Sequence, residues 1–68
     1  MELKINNRIK FFKQETISVQ QLLDIEMPQK QNGIAVAIDN HVIPKNNWEN
    51  HFLTDSENIL IISATQGG

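Results

Sequence analysis

The residues best suited to chemistry are Gly67-Gly68, where the sequence ends. A terminal glycine carries its α-carboxylate with no side chain beside it, and a second glycine lets the approaching backbone bend freely. Such a pair fits a channel too narrow for any other two residues. The carboxylate is ionised at neutral pH, because its reference pKa is about 3.3–3.7. An ionised carboxylate is a poor electrophile, so its use requires activation, most simply as an acyl adenylate. The pair therefore suits a carrier whose terminal carboxylate is the reacting group. Two terminal glycines also arise by accident in about one chain in 200, or as an appended scar. The body of the chain has to supply the support.

The other chemistry-bearing side chains do not converge. His41 and His51 have no carboxylate spaced to orient either of them, and a metal or acid–base site needs a converging set of groups. Solvated turn and helix-end positions account for both. Trp48 lacks the basic surround of a base-stacking residue, so it reads as an anchor for the segment after Pro44, its indole N–H bonded at the edge. Asp55 and Glu57 share a turn, but a glycosidase-like pair needs a cleft and one raised pKa. A domain this small offers neither. With no cysteine there is no thiolate chemistry, no disulfide and no Cys-type zinc site. The chain is expected not to be an enzyme and to bind neither metal nor cofactor itself.

At 68 residues the chain has room for one small core. Its net charge is −2, and Lys4, Arg8, Lys10 and Lys13 form its one hint of a basic cluster. Nucleic-acid modules usually present a net basic face, so a solvated strand edge is the better reading of those cations. No apolar run reaches membrane-spanning length, and Met1-Glu2-Leu3-Lys4 does not open a signal peptide. The expectation is a cytoplasmic protein with no nucleic-acid or membrane partner.

Positioning the terminal glycines requires a scaffold, and its elements are legible. Leu3, Ile5, Ile9 and Phe11 alternate with Glu2, Lys4, Arg8 and Lys10, the period of strands with one buried face. Asn6-Asn7 between the two runs suits a tight hairpin turn. Phe12 breaks the alternation where the second strand ends or bulges. Ser18 and Gln21 form a capping box, and Ile17 with Leu22 has the spacing of a hydrophobic staple. Val19, Leu22, Leu23 and Met27 would then line the buried face of a helix that Met27-Pro28 closes.

Gln29 to Gly33 reads as a polar loop, and Ile34–Ile38 as a strand with large residues on one face and alanines on the other. Asp39-Asn40 is a turn, His41–Ile43 a short strand, and Pro44–Asn50 a single helical turn around Trp48. Thr54–Asn58 is the last turn, and Ile59–Ile62 the last strand. One helix laid across a small mixed sheet, with the first and last strands adjacent and parallel, satisfies this order. That is an α+β β-grasp, or ubiquitin-like, architecture: a domain over residues 1–63 and a flexible Gly-Gly tail over 64–68, mobile from Thr65 onward. A different α+β packing of the same elements is the alternative.

From about residue 17 onward the chain resembles the ThiS family of thiamine-biosynthesis sulfur carriers. The resemblance lies in Gly33-Ile34-Ala35-Val36-Ala37-Ile38, Val42-Ile43-Pro44, Trp48, Asp55, the apolar last strand and Gly67-Gly68, in that order and spacing. It implies that an E1-like adenylating enzyme activates the Gly68 carboxylate with ATP. Sulfur from a persulfide donor then replaces one oxygen, and the thiocarboxylate serves thiazole synthase, where the thiazole of thiamine is built. Two features depart from the family's habit. Ser56 stands where a glycine often separates two acids, and Thr65-Gln66 precedes the glycines in place of a more apolar tail.

The docking face follows from strand geometry. Successive strand side chains alternate, so inward Ile59 and Ile61 leave Leu60 and Ile62 outward. Ala35 and Ala37 join them on the open face of the sheet, opposite Ile34, Val36 and Ile38. That apolar patch, with Gln66 and Gly67 on the tail, is the expected partner contact. Ala64 to Gly68 spans at most about 17 Å when extended, the reach of an arm entering a partner's site. Within the same class, a molybdopterin-type or other thiolation carrier would use the same tail, though molybdopterin-type chains tend to be longer and lack the Ile-Pro and Trp spacing. In another class stands a β-grasp interaction module with incidental glycines.

Overall fold

The computed structural model describes residues 1–29 and 31–63; Lys30 and residues 64–68, among them Gln66, Gly67 and Gly68, lie outside the described residues. Two asparagine turns set up the sheet. Asn6 and Asn7 take φ of 50° and 69°, and Asp39 and Asn40 take 49° and 73°. Two successive left-handed residues match the twist of the flanking strands, and Asn and Asp tolerate that region better than most residues. The first turn joins β1 (Glu2–Ile5) to β2 (Arg8–Phe11), and the second joins β4 (Ile34–Ile38) to β5 (His41–Ile43).

β3 (Ile17–Ser18) leads directly into helix α1 (Val19–Glu26), β6 is Phe52–Leu53, and β7 (Asn58–Ser63) is last. The main sheet has the order β2-β1-β7-β4-β5. β1 and β7 run parallel through its middle, with Ile5 beside Ile59. The expected β-grasp arrangement is therefore present.

Helix α1 starts where its capping box says it should. Ser18 Oγ accepts the Gln21 N–H at 3.1 Å, and Gln21 Oε1 accepts the Ser18 N–H at 2.9 Å. The first turn of a helix leaves its N–H groups without intrahelical partners, and two more are met from the loop beyond. Val19 N–H donates to the His51 carbonyl at 2.9 Å, and Gln20 N–H to the Trp48 carbonyl at 3.0 Å. At the other end the helix stops at Glu26, and the Met27 N–H donates to the Leu23 carbonyl.

Here one expectation is corrected. Met27, at φ −138° and ψ 67°, is the C-cap and only half-buried. Pro28 forces its predecessor out of the helical region, so Met27 leaves the buried stripe that Val19, Leu22 and Leu23 keep. Gln20 and Gln31 both donate to Asp24 Oδ1, at 3.0 and 2.9 Å, and tie the helix to the loop before β4. Hydrogen bonds from Gln31 and then Gln20 lower the Asp24 pKa below its usual range.

The core lies between α1 and one face of the sheet. Leu3, Ile5, Val36, Ile38 and Ile59 come from the sheet, Val19, Leu22 and Leu23 from the helix, and Ile17, Trp48 and Leu53 from its flank. Ile17 and Leu53 face each other in a second, two-stranded sheet of β3 and β6, which two-residue strands are too short to announce by periodicity.

The largest correction concerns β2. Ile9 and Phe11 do not share the buried face of Leu3 and Ile5; they are 57% and 77% exposed. With a two-residue turn, Lys4 sits opposite Ile9 and Leu3 opposite Lys10. Directly paired residues lie on the same face, so the apolar residues of the two strands fall on opposite faces. The helix side receives Lys10, whose Nζ reaches Glu26 Oε1 at 2.7 Å. Phe12 does turn inward after the strand ends. It packs against the core, its N–H donating to the Met1 carbonyl at 2.7 Å. Phe11→Ser is accordingly expected to change stability by less than about 0.5 kcal/mol in urea unfolding. A loss of about 2 kcal/mol or more, the range of a buried side chain, would contradict that placement.

Candidate functional site

β7 is the strand that leads to the terminal glycines, and its neighbours decide what it presents. It pairs with β4 from Ile38 opposite Ile59 to Ile34 opposite Ser63. Ile59 is buried and Ile61 partly so, while Leu60 and Ile62 stay about half exposed, at 47% and 48%. Ala35 lies opposite Ile62, and Ala37 opposite Leu60. The register thus brings Leu60, Ile62, Ala35 and Ala37 together on the sheet face turned away from the helix. The alanines leave the flanks of the two larger side chains uncovered.

That face is wider than the sequence reading made it. Val42, opposite Ala37, joins it at the β5 edge, and Ile9 and Phe11 stand on it at the other edge, beyond Lys4 and Glu2. The two-residue turn was the signal available for the latter pair, because it fixes which residues of the hairpin share a face. The turn before β7 uses its acids structurally. Asp55 Oδ1 accepts the Glu2 N–H at 2.6 Å, and Glu57 Oε1 accepts the Thr54 N–H at 2.7 Å. Ser56 has φ 71° and its N–H donates to the Glu2 carbonyl at 2.8 Å. A positive φ is the conformation that glycine adopts without steric penalty, so Ser56 takes a backbone conformation here that a glycine would take at less cost.

Trp48 is an anchor. It is 2% exposed, and its Nε1–H donates to the Ile43 carbonyl at 2.9 Å. A 3-10 turn over Lys45–Asn47 delivers it into the core. His41 is exposed, with Nδ1 3.4 Å from the Asp39 carbonyl, and His51 is half-buried in the loop after that turn. Among the described residues no three His, Asp or Glu side chains are grouped to hold a metal ion. No described helix is long and apolar enough to cross a membrane. The reacting positions of the sequence reading, Gly67 and Gly68, and the contact residue Gln66 lie outside the described residues.

Comparison with known proteins agrees with this geometry. The model of the ThiS family matches residues 3–68. The sulfur carrier protein ThiS of Escherichia coli (strain K12) is 33% identical over 51 residues, covering 75% of this chain and 76% of that protein. The crystal structure of the thiamine biosynthesis protein ThiS from Geobacter metallireducens superposes with a TM-score of 0.88 over 100% of both chains at 17% identity. At that identity the likeness speaks to the fold alone.

Proposed function

The chain belongs to the ThiS family, and from that premise we propose that it is a sulfur carrier of thiamine biosynthesis whose reacting group is the Gly68 carboxylate. The observation that carries the reading is the family match running through Gly67-Gly68. A carboxylate oxygen of Gly68 attacks the α-phosphorus of ATP on an adenylating partner, and pyrophosphate leaves. The terminal sulfur of a persulfide donor then attacks the carbonyl carbon and expels AMP. The new C–S bond leaves an acyl disulfide. A thiolate then attacks the donor's inner sulfur, breaking the persulfide's own S–S bond, taking the donor sulfur into a disulfide and releasing the thiocarboxylate.

Sulfur is a softer and stronger nucleophile there than oxygen, as delivery to thiazole synthase requires. Every catalytic group in this sequence belongs to the partners, so the carrier is a substrate and the ATP is theirs. The scene is the cytoplasm. Gly67 supplies access, because a β-carbon at that position would crowd the channel.

The open face docks the domain while the tail enters. Leu60, Ile62, Ala35 and Ala37 form a contiguous apolar surface next to the strand that leads to the tail, and such patches mark partner contacts. Leu60→Glu should leave the fold intact, with a stability change below about 1 kcal/mol. It should raise the KM of the adenylating enzyme for the carrier about tenfold or more, because docking then buries an unpaired charge. An unchanged KM would move the docking surface elsewhere.

The test of the function is the intact mass after incubation with the adenylating enzyme, ATP and a persulfide donor. A gain equal to sulfur in place of oxygen is the expected result. An unchanged mass, with an enzyme active on its own carrier, would favour a non-covalent interaction module.

A further inference from the structure

Resting on the carrier reading, we propose that Asn6 is a positioning residue for docking on the adenylating partner: its carboxamide splints the end of the strand that carries Leu60 and Ile62. The β1 backbone accompanies β7 only as far as Ile59, whose carbonyl accepts the Asn6 N–H at 2.9 Å. The chain then turns away, with Asn6 at φ 50° and Asn7 at φ 69°, and β7 continues to Ser63 without it.

The next groups of β7 on that flank are the N–H and carbonyl of Ile61, and the Asn6 side chain takes both. Its Oδ1 accepts the Ile61 N–H at 2.8 Å, and its Nδ2 donates to the Ile61 carbonyl at 3.3 Å. A carboxamide carries the same donor and acceptor types as a peptide group. Asn6 thereby supplies a rung of the ladder after its own backbone has left it.

The consequence is directional. β4 holds the other flank of β7 through Ser63, so with Asn6 the strand is held on both flanks as far as Ile61. Leu60 and Ile62, the docking residues, sit on either side of Ile61, and Gly68 follows seven residues later. Without the carboxamide the strand end rests on β4 alone, and any splay there displaces Leu60 and Ile62. A docking strand already held in place loses less freedom on binding. Once the partner holds that strand, the splint has no further effect on the chemical step. The signature is thus a change in KM and not in kcat.

Asn6→Gly separates this role from the turn, because glycine keeps the left-handed backbone and removes only the carboxamide. Asn6→Asp restores an acceptor for the Ile61 N–H but not the donor. In Asn6→Gly the Ile61 amide should exchange with solvent about tenfold faster while Ile59 is unchanged. The adenylating enzyme's KM for the carrier should rise about fivefold with kcat within about twofold.

Asn6→Asp should recover part of both changes, and Asn7→Gly should cause neither. Unchanged Ile61 exchange in Asn6→Gly would overturn the splint. Faster exchange with KM unchanged, or a fall in kcat alone, would leave Asn6 structural and overturn the positioning role. If the wild-type chain itself gains no sulfur, the carrier reading fails and the positioning role falls with it. The exchange comparison would still report on the hydrogen bonds.

Discussion

Deleting Gly68 is expected to abolish the mass gain on incubation with the adenylating enzyme, ATP and persulfide, with no change in thermal unfolding. The truncated chain still ends in a glycine carboxylate, so its chemistry is intact, and only its reach is altered. One residue of extended chain is about 3.3–3.6 Å. A misplacement of about 1 Å at a reacting centre can already reduce a rate about a hundredfold. Transfer by the deletion variant should therefore fall at least about a thousandfold.

Gly67→Val asks the other half of the question, because reach is kept and width is not. It should bind poorly even where the carboxylate could still react. The last strand of the described domain ends at Ser63, so both changes fall outside it. A truncated chain that gained sulfur at the wild-type rate would remove Gly68 from the chemistry.

The largest stability effect is expected at Trp48. It is buried at 2% exposure as a member of the core cluster, and donates from Nε1 to the Ile43 carbonyl. Its own carbonyl also accepts from Gln20 at the start of α1. Truncating a buried Trp to Ala costs about 3–5 kcal/mol, and a disulfide-free domain of this size has about 3–5 kcal/mol in total. Trp48→Ala should therefore be largely unfolded at 25 °C by circular dichroism. Trp48→Phe keeps most of the volume and leaves the Ile43 carbonyl without its donor. It should remain folded with a loss of about 1–3 kcal/mol in urea. A cooperative Trp48→Ala variant of near wild-type stability would show that the 3-10 segment can repack without its anchor.

Most of the architecture was legible because the signals are local. Ser18 with Gln21 marked the helix start, Pro28 its end, and Asn6-Asn7 and Asp39-Asn40 the two turns. Each acts within a few residues of itself. The open-face set of Leu60, Ile62, Ala35 and Ala37 was equally legible, since the alternation of a strand needs no knowledge of the partner strand. The period of β2 places Ile9 and Phe11 on the buried face, and the structure turns them to the open one. Their own alternation says only that they share a face, and the turn length decides which one. β3 and β6 escaped because two-residue strands have no period, and their pairing joins Ile17 to Leu53 across the whole length between.

By itself the sequence determined every described element but β3 and β6, the caps and turns between them, the terminal glycines and the family to which the chain belongs. These depend on near neighbours or on the order of residues. Tertiary structure alone decided that β2 turns its apolar side chains outward, and that Asp55 and Glu57 hold backbone N–H groups. It alone brought the Asn6 carboxamide to Ile61, 55 positions away. A hydrogen bond between distant residues depends on where the whole sheet brings its strands together, and no local spacing records that.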